Sequence, residues 1–380
     1  MTNRVRASGC IAAVVGAVAF AALPVAGQTP AAKPAAVPAV RPGVPPPATG
    51  AKATKTPWGE PDLQGVWTSD AALGIPRERP EKFGNRAVLT DEEFAEAAKA
   101  DAQRRDAGVN AVGAFRNDGA WKTRSYRQTS IVVEPEDGRT PAFTEQALTR
   151  TAPRDRGSFG EGPFYDQLDF TLYDRCMTRG IVGSIMPVVY GNGNRIIQAP
   201  GMVIISYEMV HDTRVIYTDG RPHLPSKIRQ YLGDSRGHWE GTTLVIETTN
   251  FTDQTSIGGG NGNGLRHSAD MKITERITRV DNDELRYEVH VDDPKTYTKP
   301  FTISLPLSSP PGYELLPYEC HEGNYMLPHS LSAEREEDAA IEADLKQGIV
   351  RKRKSIQQNL DAGARPIPGR TNPNDDIDGN

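Results

Sequence analysis

The residues with most chemical potential lie in one run, Tyr318-Glu319-Cys320-His321-Glu322-Gly323-Asn324-Tyr325. It gathers a thiol, an imidazole, two carboxylates, an amide and two phenols. An imidazole and a carboxylate can exchange protons with a substrate, so His321 and Glu322 are candidate catalytic residues and Tyr318 a candidate ligand contact. The pattern predicts a strand from Tyr313 to Cys320. Side chains alternate along a strand, which puts Leu316, Tyr318, Cys320 and Glu322 on one face and Glu319 and His321 on the other. His321 and Glu322 can then act together only if the strand breaks before Gly323.

The chain has three cysteines. Cys10 belongs to a segment that reads as a secretory signal. Arg4 and Arg6 precede an apolar run from Ile11 to Ala22 that is short for a membrane span. A cut after Gly27 leaves Cys176 and Cys320, and an even pair in an exported chain predicts a disulfide; two buried free thiols are the alternative. The bond brings Arg175 and Arg179, which flank Cys176, toward Glu322, and both are candidate ligand contacts. The expected location is the periplasm or the cell exterior, with no transmembrane segment after signal cleavage.

Period-two alternation supplies the remaining candidates. Between Met271 and Val280, Glu275 shares its face with Met271, Ile273 and Ile277. Between Met202 and His211, Glu208 shares one face with Met202 and Ile204, and His211 shares the other with Val203, Ile205 and Tyr207. A carboxylate on an apolar face must be paired, hydrogen-bonded or protonated. Glu275 is expected either to meet an arginine inside the fold or to serve as a general acid or base. Glu208, His211 and Tyr207 are expected to contact a ligand.

Other chemistries find little support. No two of the seven histidines stand at the two- or four-residue spacing that puts both on one ligand face, so no metal is expected; a site assembled from different strands, for instance His211, His321 and Glu322, is the alternative. The glycine-rich run Gly258 to Gly264 lacks the Lys-Ser/Thr ending of a phosphate loop and precedes a strand. No serine-hydrolase elbow and no cofactor are expected. A net charge of −5 without a basic patch argues against nucleic acid as a partner.

These residues need a scaffold. With 37% hydrophobic residues, 36 Gly and 30 Pro, the composition favours strands and loops over helices. Strand-like runs cover 195–199, 202–210, 213–218, 227–232, 237–240, 243–250, 271–280, 284–292, 297–305 and 313–320. No helical run separates them, which predicts an antiparallel meander forming a barrel or a strongly curved sheet. Upstream, Thr90 and Glu93 form the capping box of a helix. Downstream, a helix from Ser332 to about Val350 carries Ile341, Leu345 and Ile349 as a stripe to be buried. The fold class is therefore mainly β with an N-terminal helix-containing extension and a C-terminal helix. The expected organisation is a signal peptide (1–27), a Pro/Ala-rich linker (28–55) and a single β-rich domain (56–355), then a disordered tail (356–380). Within the domain, 56–194 wraps the body, 195–325 forms the barrel core and 330–352 the C-terminal helix.

Four segments, Trp58 to Trp67, Leu232 to Gly241, Thr248 to Phe251 and Tyr318 to Tyr325, resemble uncharacterised exported proteins of acidobacteria and related soil and aquatic bacteria. The resemblance spans roughly residues 56–345 and implies no reaction and no catalytic residues. The topology is similar to that of calycins, the lipocalin-type barrels, by analogy of fold alone. Apolar inner faces carrying isolated polar groups have the composition of a pocket. The leading expectation is a barrel that binds a small, partly apolar molecule. The alternatives are a Glu/His-dependent hydrolase, lyase or isomerase acting on such a molecule, and a structural envelope protein with no small ligand.

Overall fold

The computed structural model describes residues 55–110, 122–151, 163–188, 190–257, 265–351 and 353. The expected signal peptide, nearly all of the linker, the glycine-rich run and the expected disordered tail lie outside the described residues.

Among the described residues twelve strands form in chain order: β1 (Gly65–Thr68), β2 (Val132–Glu134), β3 (Gly193–Ala199), β4 (Met202–Tyr207), β5 (Thr213–Tyr217), β6 (Asp234–Glu240), β7 (Thr243–Thr249), β8 (Ser256–Ile257), β9 (Leu265–Arg266), β10 (Lys272–Arg279), β11 (Glu284–Asp292) and β12 (Phe301–Ser308). Nine of them pair in the order β1-β3-β4-β5-β6-β7-β10-β11-β12, and a contact from β12 back to β1 closes the barrel. Closure occurs at Thr68 with Ser308, while the other end of β12 carries β2 at Thr302 and Ile303. Every ladder is antiparallel except β5 with β6, which is parallel and consists of a single pair, Tyr217 with Arg236. β8 and β9 form a separate hairpin.

The interior follows from alternation. Ile273, Glu275 and Ile277 on β10 oppose Val291, Val289 and Tyr287 on β11, and these in turn oppose Phe301, Ile303 and Leu305 on β12. All nine are buried, as are Trp67, Tyr207, Ile216 and Ile246 from the rest of the wall. Inward residues of facing strands thus fill the barrel with side chains.

Among the described residues four α-helices complete the fold: α1 (Asp91–Asn110), α2 (Glu145–Thr151), α3 (Ile181–Ile185) and α4 (Met326–Lys346). The Thr90 capping box at the start of α1 is present, with Glu93 N–H donating to Thr90 Oγ1 at 3.3 Å and Thr90 N–H to Glu93 Oε2 at 2.8 Å. α4 begins at Met326, earlier than the sequence pattern places it, with Pro328 in its first turn, where a missing N–H costs no helical bond. It buries no residue, and Leu345 and Ile349 are exposed, so the expected buried stripe does not form.

Two expected strands are absent. Residues 313–320 form no strand. Pro310, Pro311 and Pro317 lack the N–H a ladder needs, and β12 has both edges occupied by β11 on one side and by β1 and β2 on the other. The segment folds on itself instead, as in Tyr313 N–H to Pro310 C=O and Cys320 N–H to Tyr318 C=O. Residues 227–232 give only an isolated bridge from Gln230 to Phe251. The run from Met202 also ends earlier than expected. Glu208 is helical, and Val210 and His211 have φ of 65° and 44°, left-handed values rare for a β-branched residue. Alternation therefore does not govern Glu208 and His211.

Candidate functional site

Disulfide formation brings one group of candidates together. Cys176 and Cys320 are bonded, with Cα atoms 5.5 Å apart. Asn324 reaches over the bond, its side-chain amide donating to Cys176 Sγ at 3.3 Å and to Asp174 C=O at 2.9 Å. The Tyr318 hydroxyl lies 3.3 Å from that of Tyr173, and its ring stacks against Tyr190 at 6.4 Å. Burial first, then the neighbouring phenols, push the Tyr318 hydroxyl well above the usual phenol range. Arg179 is buried nearby, 5.7 Å above the Tyr173 ring, and burial lowers its pKa. His211 Nδ1 sits 2.8 Å from the Tyr318 carbonyl. A carbonyl only accepts, so that nitrogen carries the proton.

A hollow of about 380 Å³ lies beside the bond, lined by Tyr173, Tyr318, Glu322 and Asn324 among others. His321 is exposed and is not part of the lining. Arg175 is half-buried, and among the described residues it makes no ion pair with Glu322.

Glu208 is a clamp. Its Oε2 accepts from Gly193 N–H at 2.9 Å and from the Tyr313 hydroxyl at 2.7 Å, and its Oε1 from Leu316 N–H at 3.1 Å. It ties the segment after β12 to the start of β3.

Glu275 lies elsewhere, inside the barrel. It receives Arg214 in a two-pronged pair at 2.5 and 2.7 Å and the Tyr287 hydroxyl. The glutamate side chain is 0% exposed and that of Arg214 4%. The pair spans the barrel from β5 to β10, so the arginine partner anticipated for Glu275 is present. Tyr207 stands beside it. Burial pushes its phenol above the usual range, opposed most by the Arg214 charge. Glu275 and Tyr207 thus belong to one buried group, separate from the disulfide.

Arg214 also connects to the outside. Where β5 and β6 part, a cleft of about 1030 Å³ opens. Arg214 and Ser235 lie on its inner side, Met177, Val215, Tyr217, Leu224, Tyr231 and Leu232 supply apolar and aromatic surface, and Arg221, Arg229 and Arg236 add charge. Arg214 Nε is buried and has no hydrogen-bond partner among the described residues. Gly233 shapes the rim. Its φ is +65°, and a Cβ there would meet the Thr249 carbonyl at 2.5 Å.

This cleft escapes the candidate residues drawn from sequence, although a signal for it exists. Gly233-Asp234-Ser235-Arg236-Gly237 has the Gly-x-Ser-x-Gly spacing. It is no nucleophile elbow, because it runs along β6 without a strand-to-helix turn. Successive strand residues face opposite ways. Ser235 points inward to Thr248 Oγ1 at 2.9 Å. Asp234 faces the other side, where its Oδ2 meets His223 Nδ1 and Leu224 N–H, each at 2.9 Å. Serine and histidine are thereby kept apart.

No group of three or more metal-binding side chains occurs among the described residues, and no helix among them is long and apolar enough to cross a membrane. No protein-family model, curated protein or solved structure matches the chain, so the reading of the site rests on its own geometry.

Proposed function

We propose that this exported β-barrel protein binds a small, partly apolar molecule in the cleft between β5 and β6. One observation carries the reading. The barrel wall is reduced to a single residue pair at this seam, and the opening exposes a mixed apolar and polar surface that ends on the buried Arg214. Pockets for small ligands have roughly 300–1,000 Å³ and a few polar groups set among apolar walls, and the cleft is at the upper end of that range. The disulfide supports export, because such bonds persist in oxidising compartments.

Val215 faces the cleft and is 41% exposed, so Val215→Trp fills the site without disturbing the core. Native mass spectrometry of protein taken from its host, and thermal shift with a metabolite panel, should find a ligand that stabilises the wild type. Ligand at about 100 times its Kd adds roughly 2.7 kcal/mol. Val215→Trp should lose that shift and keep its own melting temperature. Equal shifts in both proteins would place the ligand elsewhere.

A second reading, that the molecule is also turned over, is favoured by His223. Asp234 holds its Nδ1, and the ring is 31% exposed; its chain neighbours Pro222 and Leu224 line the cleft, while His223 itself does not. A carboxylate that fixes Nδ1 leaves Nε2 to accept a proton. Consumption of a panel member by the wild type but not by His223→Gln supports turnover; binding without consumption leaves the protein a binder.

A further inference from the structure

The seam between β5 and β6 is a wedge. At its closed end the strands nearly touch, since a Cβ on Gly237 would stand 2.9 Å from Ile216 Cγ2 and 3.0 Å from Thr218 Cγ2. Toward the start of both strands they diverge, and the cleft occupies the gap beside Thr213 and Val215 on one wall and Gly233 to Ser235 on the other.

The ladder to β4 fixes which main-chain groups of β5 face this gap. Tyr207 N–H donates to Asp212 C=O and Thr218 N–H to Gly201 C=O, both at 2.9 Å. The register between them pairs Ile205 with Arg214 and Val203 with Ile216. In an antiparallel ladder, hydrogen-bonded and non-bonded pairs alternate. The even-numbered residues of β5 therefore direct N–H and C=O toward β4, and those of Thr213 and Val215 point across the seam. Thr213 N–H is taken by the Asp212 side chain at 2.9 Å. This leaves the edge to the Thr213 carbonyl and to both groups of Val215. Such an edge is a template for another strand.

The cleft lining is also rich in arginine. Four guanidinium groups, Arg214, Arg221, Arg229 and Arg236, line the cleft against two carboxylates, Asp212 and Asp234. Each of these arginines has a carboxylate beside it, Arg214 Glu275, Arg221 Asp219, Arg229 Asp270 and Arg236 Asp234, and of these acids only Asp234 is part of the lining.

We propose that the cleft takes an extended acidic peptide, which adds to the free edge of β5 as a further strand and turns its carboxylates toward the arginines. This rests on the reading of the cleft as the binding site and narrows the ligand to a polypeptide main chain. Main-chain bonds supply affinity in such strand addition, and alternate side chains supply selectivity.

Fluorescence anisotropy with a labelled eight-residue peptide of alternating glutamate and valine tests it. Saturable binding is expected. A lysine–valine counterpart should bind at least about tenfold more weakly, and so should the glutamate–valine peptide N-methylated at alternate amides, which removes its donors. Val215→Pro deletes an edge N–H that serves no bond to β4, a position where strands tolerate proline. It should also weaken binding about tenfold at an unchanged melting temperature. Undiminished binding of the N-methylated peptide, which needs no variant, overturns the proposal. So does unchanged affinity in Val215→Pro. If no peptide binds while a non-peptide panel member still stabilises the wild type and not Val215→Trp, the cleft stands as a site and the peptide class falls. If neither binds, both readings fall.

Discussion

At the scale of single residues, Glu275 separates two meanings of a buried carboxylate. Its face assignment is legible from Ile273 and Ile277 on either side. Its partner is not, because Arg214 lies 61 positions away on a strand that is not a neighbour of β10. Period-two reasoning reaches across one ladder but not across a barrel. Arg214 and Tyr287 engage both oxygens of Glu275 inside the barrel. Glu275→Gln should act on stability, since it strands a buried guanidinium. Breaking one side of such a pair costs about 3–5 kcal/mol, readable as a lower urea midpoint with unchanged slope. Arg214→Met combined with Glu275→Leu should recover much of the loss, because well-packed apolar replacements of buried pairs are often tolerated. An unaltered midpoint in Glu275→Gln would mean that the pair contributes nothing.

At the scale of elements, legibility tracks how local the deciding interaction is. The strand from Glu284 to Asp292 is read to the residue, because alternation and the flanking Asp281-Asn282-Asp283 turn both lie within a few positions. The capping box of α1 is equally local. Residues 313–320 alternate just as convincingly and yet form no strand, since an available edge is a property of the whole sheet. The cleft is hidden for the same reason. It exists because β5 and β6 meet at one pair, and nothing in either strand announces that. What holds 313–325 in place is a disulfide, the His211 contact and the Glu208 clamp. Glu208→Ala removes the acceptor for three donors, and the buried Gly193 N–H then lacks a partner, at a cost of about 1–3 kcal/mol. Hydrogen exchange should show residues 313–325 opening faster while β10, β11 and β12 keep their protection. Uniform loss of protection throughout the barrel would instead make the clamp part of the global fold.

At the scale of the whole molecule, buried and exposed carboxyls pull the pH dependence in opposite directions. Glu93 and Asp270 have depressed pKa values through Arg86 and Lys295. They contribute stability above the ordinary carboxylate range that is lost on acidification, but both are exposed and solvent screens them. Asp70 is the reverse case. It is 2% exposed in the turn that follows β1, and burial raises its pKa above the ordinary value of 3.8, against hydrogen bonds from Thr68 and Asn192 and with the help of the Glu208 charge. Asp212 and Glu284 are raised for the same first reason. A raised native pKa means that the folded state binds the extra proton. Its stabilising contribution is complete below the unfolded value and is lost as pH rises through the folded one. The wild type should therefore lose stability relative to Asp70→Asn as pH climbs from the ordinary carboxylate value of 3.8 through the raised folded one. The asparagine keeps an oxygen for the Asn192 amide, which donates to Asp70 Oδ1 at 2.7 Å, and carries no charge to desolvate. Guanidinium midpoints of both proteins across that range decide the matter. A difference that widens with pH identifies Asp70 as the group responsible; a constant difference would assign the substitution to packing alone and leave the pH response of the barrel to Asp212 and Glu284.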